Sequence, residues 1–393
     1  MTLDRSVSDI ILKAAREYPV VVVTGPRQSG KTTLVKRLFP GLPYVLLEDP
    51  DRRRHAIEDP RGFLAAYEGG VILDEAQRAP ELLSYLQGIV DEDRKPGRFI
   101  LTGSQQFGIL SGITQSLAGR AAMMVLLPFS LGELASGGCE PKRLEDLLFQ
   151  GLYPPIHDRQ LNPSAWYANY VATYVERDVR QLINVRDLST FETFLRMCAA
   201  RCGQLVSLSG LASDCGVSHN TARSWLSVLE ASYVVCTLRP HFRNFSKRLI
   251  KSPKLYFLDP GLAAWLLEIR NPDQLRTHPM RGPLFESWVL SELLKGAYDR
   301  GMRPNTYFWR DRSGLEVDFV ADRGTELVPI EAKSASTYVS EWTLPLAHWS
   351  KLAGKEAGPG WIIYGGSTEG PRKGVEVLPW QKIARLVNAV GIG

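Results

Sequence analysis

Three groups of residues in this chain are typed and spaced as chemistry requires. Residues 25–33 read GPRQSGKTT, with Gly25, Gly30, Lys31 and Thr32 in the fixed places of a GxxxxGK[ST] loop. Glycines let backbone N–H groups curl around phosphate oxygens without Cβ clashes, so Gly25, Pro26, Arg27, Gln28, Ser29, Gly30, Lys31, Thr32 and Thr33 are expected to cradle a nucleoside triphosphate. Lys31 would reach the β- and γ-phosphates, and the Thr32 hydroxyl would ligate Mg²⁺. The second group, Val71-Ile72-Leu73-Asp74-Glu75, is an apolar run ending in two acids about fifty residues later. Asp74 is expected to hold the magnesium, directly or through water, and Glu75 to polarise the attacking water. Together these groups imply ATP (or GTP) with Mg²⁺, and hydrolysis rather than binding alone.

The third group lies near the C-terminus: Glu286, Asp318, Glu331 and Lys333. Strand alternation puts Glu331 and Lys333 on one face. With Asp318 on the neighbouring strand and Glu286 on a preceding helix, the set would form a carboxylate–lysine site. Acids holding a metal beside a lysine that positions or deprotonates water is phosphodiester-cleaving chemistry. A retained scaffold without activity is the weightier reading of the same residues.

Further single residues carry alternatives. Thr102 or Ser104, at the end of Phe99–Thr102, would sense the γ-phosphate, or simply close a polar strand end. Arg120 would act as an arginine finger, in its own subunit or a neighbour's, or be a surface arginine.

Elements must position these residues. Val20–Thr24, Tyr44–Leu47, Val71–Leu73, Phe99–Thr102 and Met123–Leu127 are short apolar runs rich in β-branched residues. Short apolar strands alternating with helices predict a parallel sheet covered on both faces. The helix expected over Lys31–Phe39 completes the strand–loop–helix context of the phosphate loop. Helical periodicity follows from about 141 to 200, through Trp166, Tyr170, Tyr174 and Val175. Residues 205–230 then give two short helices around Gly216-Val217-Ser218, a helix-turn-helix pattern presenting His219, Asn220 and Arg223. The stretch Arg239–Lys254 carries Arg239, Arg243, Lys247, Arg248, Lys251 and Lys254 with no acid, interleaved with Phe242 and Phe245. It could lie along a phosphate backbone as a wing, or be a solvated face beside a packing module. After a linker at His278–Pro283, a helix over Leu284–Tyr298 precedes strands at Thr306–Arg310, Leu315–Ala321, Glu326–Ala332 and Trp361–Tyr364.

The strings VILDEAQRAPELL, ILTGSQQF and SLAGR followed by LLPFSLGEL resemble a group of bacterial and archaeal AAA-type ATPases close to the STAND branch, with Gly151–Pro154 and Tyr174–Val179 as further landmarks. The resemblance implies an α/β protein: an ATPase core over 1–135, a helical lid over 136–202, a winged helix over 203–278, and a nuclease-like α/β domain of the PD-(D/E)xK type over 279–393. In that family the C-terminal domain has no established function. The expected function is therefore a Mg-ATP switch or motor with a docking or output module. The alternatives are an ATP-dependent nuclease and a nucleotide-bound DNA-binding protein.

Bulk properties narrow the partners. At 393 residues and a net charge of +5, with 44% hydrophobic and 23% charged residues, the chain reads as a multi-domain globular protein with only a mild basic bias. Five scattered cysteines give neither a disulfide framework nor zinc spacing. Cys198 and Cys202, one helical turn apart, read as small apolar core residues. With no apolar run of spanning length and no secretory leader, a cytoplasmic protein without a membrane partner is expected. Nucleic acid, a protein partner or a second copy of the chain fit the helix-turn-helix and Arg120 readings.

Overall fold

The computed structural model describes residues 3–104, 117–174, 188–241, 251–311 and 313–391. The N-terminal part alternates helix and strand: α1 (Ser8–Glu17), β1 (Val20–Thr24), α2 (Lys31–Leu38), β2 (Tyr44–Leu46), α3 (Pro50–Glu58), α4 (Pro60–Ala65), β3 (Val71–Asp74), α5 (Leu82–Glu92), β4 (Phe99–Gly103) and β5 (Ala121–Val125). All five strands are parallel, in the order β2-β3-β4-β1-β5. β1 is VVVVT and wholly buried, as a β-branched strand shielded on both faces should be. Its alternation divides the core. Val20 and Val22 pack with α3, α4 and α5 residues such as Phe63 and Leu86, whereas Val21 and Val23 pack with Ile11 of α1 and Leu34 of α2.

Strand β5 sits two residues earlier than the apolar run suggested. Ala121 and Ala122 are small enough to pair with Val20 and Val21 at the sheet edge, and the ladder ends where Leu126 N–H donates to Thr24 O. Leu126 and Leu127 carry the chain out of the sheet.

A helical middle region follows: α6 (Leu131–Ser136), α7 (Leu144–Gln150), α8 (Pro154–Asp158), α9 (Pro163–Tyr174), α10 (Leu188–Ala200), α11 (Leu208–Asp214) and α12 (His219–Ala231). The antiparallel ribbon β6 (Val235–Leu238) and β7 (Lys254–Phe257) and helix α13 (Pro260–Leu266) come next. Cys198 and Cys202 are buried apolar residues, as expected. Of the basic stretch, Phe242, Arg243, Phe245, Lys247 and Arg248 lie outside the described residues, as does the landmark at 175–179.

The C-terminal part is a mixed sheet, β12-β13-β11-β10-β9-β8, built from β8 (Thr306–Arg310), β9 (Glu316–Asp322), β10 (Leu327–Lys333), β11 (Gly360–Tyr364), β12 (Gly370–Arg372) and β13 (Val375–Pro379). α14 (Arg281–Tyr298) and α16 (Ile383–Val390) pack on one face, through Phe285, Leu290 and Leu386 against Phe319, Ile330 and Ile363. α15 (Thr343–Ala353) covers the other with Leu346 and Trp349. The expected linker at His278–Pro283 is shorter than its punctuation implied. α14 begins at Arg281, and Pro283 is tolerated because a first-turn residue has no intrahelical N–H bond to lose. Among the described residues, no helix is long and apolar enough to cross a membrane.

α14 is buried around nearly its whole circumference from Leu284 to Gly296, the signature of a helix enclosed by other layers. Its later turns touch the ATPase-like part directly. Lys295 Nζ donates to Phe129 O at 2.7 Å and to Glu292 Oε1 at 2.9 Å, while Glu292 Oε2 accepts from Leu131 N at 3.1 Å. One turn on, Asp299 is lifted to about 7, first by burial and then by the nearby Glu133 carboxylate, against the pull of Arg5 and Lys295. An acid whose folded-state affinity for a proton exceeds that of the unfolded chain makes stability fall as pH rises. The window runs from the ordinary carboxylate range, near 4, to about 7. In thermal melts across pH 5 to 8, Asp299→Asn should therefore lose less stability with rising pH than the parent; equal slopes would exclude Asp299 as a source.

Candidate functional site

The C-terminal ends of β1, β3 and β4 lie along one sheet edge, because Thr24 pairs with Gly103 and Leu73 with Leu101. The loop from Gly25 to Gly30 leaves β1 there and feeds the N-terminus of α2. Gly25 has φ 148°, and a Cβ on it would lie 2.1 Å from Leu126 O; Gly30 has φ 94°. Neither position admits a side chain without strain. Lys31 is buried, with Nζ donating to Gly25 O at 2.9 Å and Pro26 O at 2.7 Å.

Asp74 ends β3 facing this loop. Thr32 Oγ1 donates to Asp74 Oδ2 at 2.7 Å, Tyr44 OH donates to the same oxygen at 2.6 Å, and Glu75 N donates to Oδ1 at 3.2 Å. Thr102 Oγ1 donates to Oδ1 as well. The two alternative candidates for sensing the γ-phosphate have different partners: Thr102 holds Asp74, and Ser104 Oγ reaches Glu75 Oε2 at 3.3 Å. Glu75 is half-buried, holds a left-handed backbone with φ 56°, and accepts from Gln77 Nε2. A glutamate in that conformation costs about 1 kcal/mol, and strain of this kind gathers at functional sites. Burial, then the bond to Asp74, raises the Tyr44 phenol well above its ordinary range.

Arg5 is the residue sequence reasoning missed. From the N-terminal segment it donates to Ser29 O at 2.7 Å and Leu127 O at 2.6 Å, pairs with Glu133 at 3.1 Å, and stacks 4.8 Å from the Phe129 ring. It ties the phosphate loop to the segment that α14 grips. A lone arginine before α1 carries no motif; only its burial shows its role. The loop opens onto a cavity of about 350 Å³ whose walls include Thr32, Thr33, Glu75, Arg5 and Phe129, together with Pro154 and Asp158 of α8.

Glu286, Asp318, Glu331 and Lys333 converge as their spacing suggested. Lys333 Nζ lies 3.1 Å from Asp318 Oδ2 and contacts Glu331 Oε2. Ala332 N donates to Asp318 Oδ2 at 2.9 Å, and Tyr256 OH donates to Glu286 Oε2 at 3.0 Å. Lys254, expected on a basic wing, is instead buried here. It contacts Glu316 and lies 4.0 Å from Glu286. Burial opposes ionisation of Asp318, yet Lys333, Lys254 and the Ala332 amide hold its carboxyl below the usual range. Burial, then Asp318, lifts Glu286 to about 7 and Glu331 well above its usual range. Among the described residues no three acid, histidine or cysteine side chains are grouped as a metal cage; lysines occupy the spaces between the acids.

Over 331 residues the chain is 34% identical to the uncharacterized protein Rv2008c of Mycobacterium tuberculosis, spanning 83% of this chain and 72% of that one, and equally to Mb2031c of Mycobacterium bovis. This chain belongs to their family. Residues 17–135 match the family described as AAA domain, 141–273 a domain of unknown function (DUF8612), and 281–383 another (DUF4143). Among solved structures, the Walker-type ATPase PABY2304 of Pyrococcus abyssi is similar at 15% identity and TM-score 0.45, covering 67% of this chain and 96% of that one. The STAND protein PH0952 of Pyrococcus horikoshii is similar at 12% identity and TM-score 0.24, over 76% of this chain and 47% of that one.

In this AAA-domain chain Arg120 stands apart from the phosphate loop. It precedes Ala121, which pairs with Val20 at the start of β1, so it lies at the opposite edge of the sheet from Gly25. There it forms a two-point bond to Asp91, at 2.6 and 2.9 Å. A finger acting on its own subunit's nucleotide is inconsistent with that placement. In the middle region His219, Asn220 and Arg223 face solvent on α12, while Trp225 and Leu226 are buried.

Proposed function

We propose that this protein hydrolyses ATP with magnesium, using turnover as a switch or motor, with its C-terminal part as the docking or output module. The observation that carries this reading is the 2.7 Å contact between Thr32 Oγ1 and Asp74 Oδ2, with Glu75 next in sequence at the cavity wall. A hydroxyl and a carboxylate already in contact at a helix N-terminus are the donor types magnesium takes. The glycine cradle beside them fits a triphosphate, so the residues present suit the group. Bound there, magnesium would neutralise charge developing on the β- and γ-oxygens. Lys31 supplies the cation for the same oxygens, Glu75 takes a proton from the attacking water, and Ser104 orients Glu75. Gln77 donates to the same oxygen, Glu75 Oε2, and holds the carboxylate together with Ser104. An Arg120 finger would serve only a neighbouring copy and would have to leave Asp91.

Lys31→Ala should abolish ATP binding, and Glu75→Gln should bind ATP yet release phosphate at least a hundredfold more slowly than the parent. Unchanged phosphate release by Glu75→Gln would remove Glu75 from the mechanism.

The convergence of Asp318, Glu331 and Lys333 supports a second reading, an ATP-dependent nuclease acting in defence or toxin–antitoxin biology. The helices α11 and α12 with the β6–β7 ribbon suit a winged helix that meets nucleic acid or protein. Two lysines, Lys254 buried and Lys333 half-buried, neutralise the acids and favour the scaffold reading of the C-terminal part. Plasmid, single-stranded DNA and RNA should therefore survive incubation with the protein, Mg²⁺ or Mn²⁺ and ATP. Cleavage that is lost in both Asp318→Ala and Lys333→Ala would establish the nuclease reading instead.

A further inference from the structure

Asp74 carries as many donors as its carboxylate can accept. A carboxylate offers about four acceptor positions. Thr32 Oγ1 and Tyr44 OH take those of Oδ2, and Thr102 Oγ1 and the Glu75 amide take those of Oδ1. The two oxygens therefore meet different neighbours. Oδ2 is held by α2 and β2, on the side of Thr32, whereas Oδ1 is held by β4 and the turn after β3. A threonine hydroxyl that donates its one proton still has two lone pairs to offer. Asp74 has none to spare while Tyr44 stays bonded. Register puts the tyrosine there. Tyr44 pairs with Ile72, so alternation sends its side chain, Ile72 and Asp74 to the same face, the one that α2 covers. Lys36 of α2 lies over the tyrosine ring, with Nζ 3.4 Å from the centroid, a contact that pins the ring against the helix.

We propose that Tyr44 is a positioning residue that keeps Asp74 from binding the magnesium ion directly. Asp74 then acts on the metal through Thr32: it takes the hydroxyl proton and so leaves the Thr32 lone pairs for the ion. Of the two ways in which Asp74 could hold magnesium, directly or through an intermediary, Tyr44 selects the second. The choice suits the ion, because magnesium takes few protein ligands and keeps several waters, whereas calcium gathers carboxylates. This deepens the proposed function and rests on it.

The test needs no turnover. Mn²⁺, which is paramagnetic and takes the same oxygen donors as Mg²⁺, is added with ADP to the full chain carrying ¹³C only at its aspartate side-chain carboxyl carbons. Electron–nuclear double resonance then reads what touches the metal. The wild type should show ³¹P coupling from the bound ADP and no strong ¹³C coupling. Tyr44→Phe keeps the ring under Lys36 and removes only the hydroxyl. A strong ¹³C coupling should appear there, as the freed position on Asp74 Oδ2 reaches the metal. It should vanish again in Tyr44→Phe/Asp74→Asn, where position 74 carries no label. ADP binding without metal should be the same in Tyr44→Phe as in the wild type. A strong ¹³C coupling already present in the wild type overturns the proposal, as does its absence from Tyr44→Phe or its survival in the double variant. Loss of metal-free ADP binding in Tyr44→Phe would make Tyr44 a structural brace and overturn it equally. A wild type without ³¹P coupling marks a different failure, that of the Mg-nucleotide reading itself.

Discussion

A buried carboxylate at the end of β3 holds the ATPase-like part together. Asp74 accepts from Thr32 on α2, Tyr44 on β2, Thr102 on β4 and the amide of Glu75. A buried anion is tolerated only when such donors replace its lost hydration. Because each donor comes from a different element, the requirement fixes the loop, three strands and the left-handed turn at Glu75 at once. Any ligand that draws Thr32 away from Asp74 changes what those elements share.

A second constraint is the enclosure of α14. Its first turns bring Glu286 to the acid–lysine cluster, and its later turns bring Glu292 and Lys295 to residues 129–131. From there Glu133 and Arg5 lead to Ser29 in the phosphate loop. The charged groups along this route are buried, and removing one partner of such a pair is costly. The loop and the C-terminal cluster are thus braced by one rigid helix and not merely joined by the chain.

Much of this was legible before any coordinates. The parallel sheet followed from fully apolar, β-branched runs, which have few other ways to be buried. The loop was legible because glycine spacing and a lysine–threonine pair answer a strict steric and charge demand. The acid–lysine cluster was legible from alternation on β10. What stayed hidden depended on long-range burial. Arg5 has no motif, and Tyr44 looked like an ordinary strand residue. Lys254 seemed part of an exposed basic run, yet its place at the start of β7 turns it inward to Glu316. Of the alternatives for Arg120, the finger on its own subunit's nucleotide fails for a related reason: the end of the sheet a residue occupies is set by register, which a local string does not display.

The proposed role of Asp74 as the magnesium-holding carboxylate is tested most directly by titrating Mg²⁺ into a phosphate-release assay of the parent and Asp74→Asn. The substitution keeps the side chain's shape and one of its two acceptor oxygens while removing its charge. Hydrolysis that rises with Mg²⁺ in the parent and stays near background in Asp74→Asn, while ADP binding without metal is retained, is the predicted result. An unchanged Mg²⁺ dependence and rate in Asp74→Asn would contradict it.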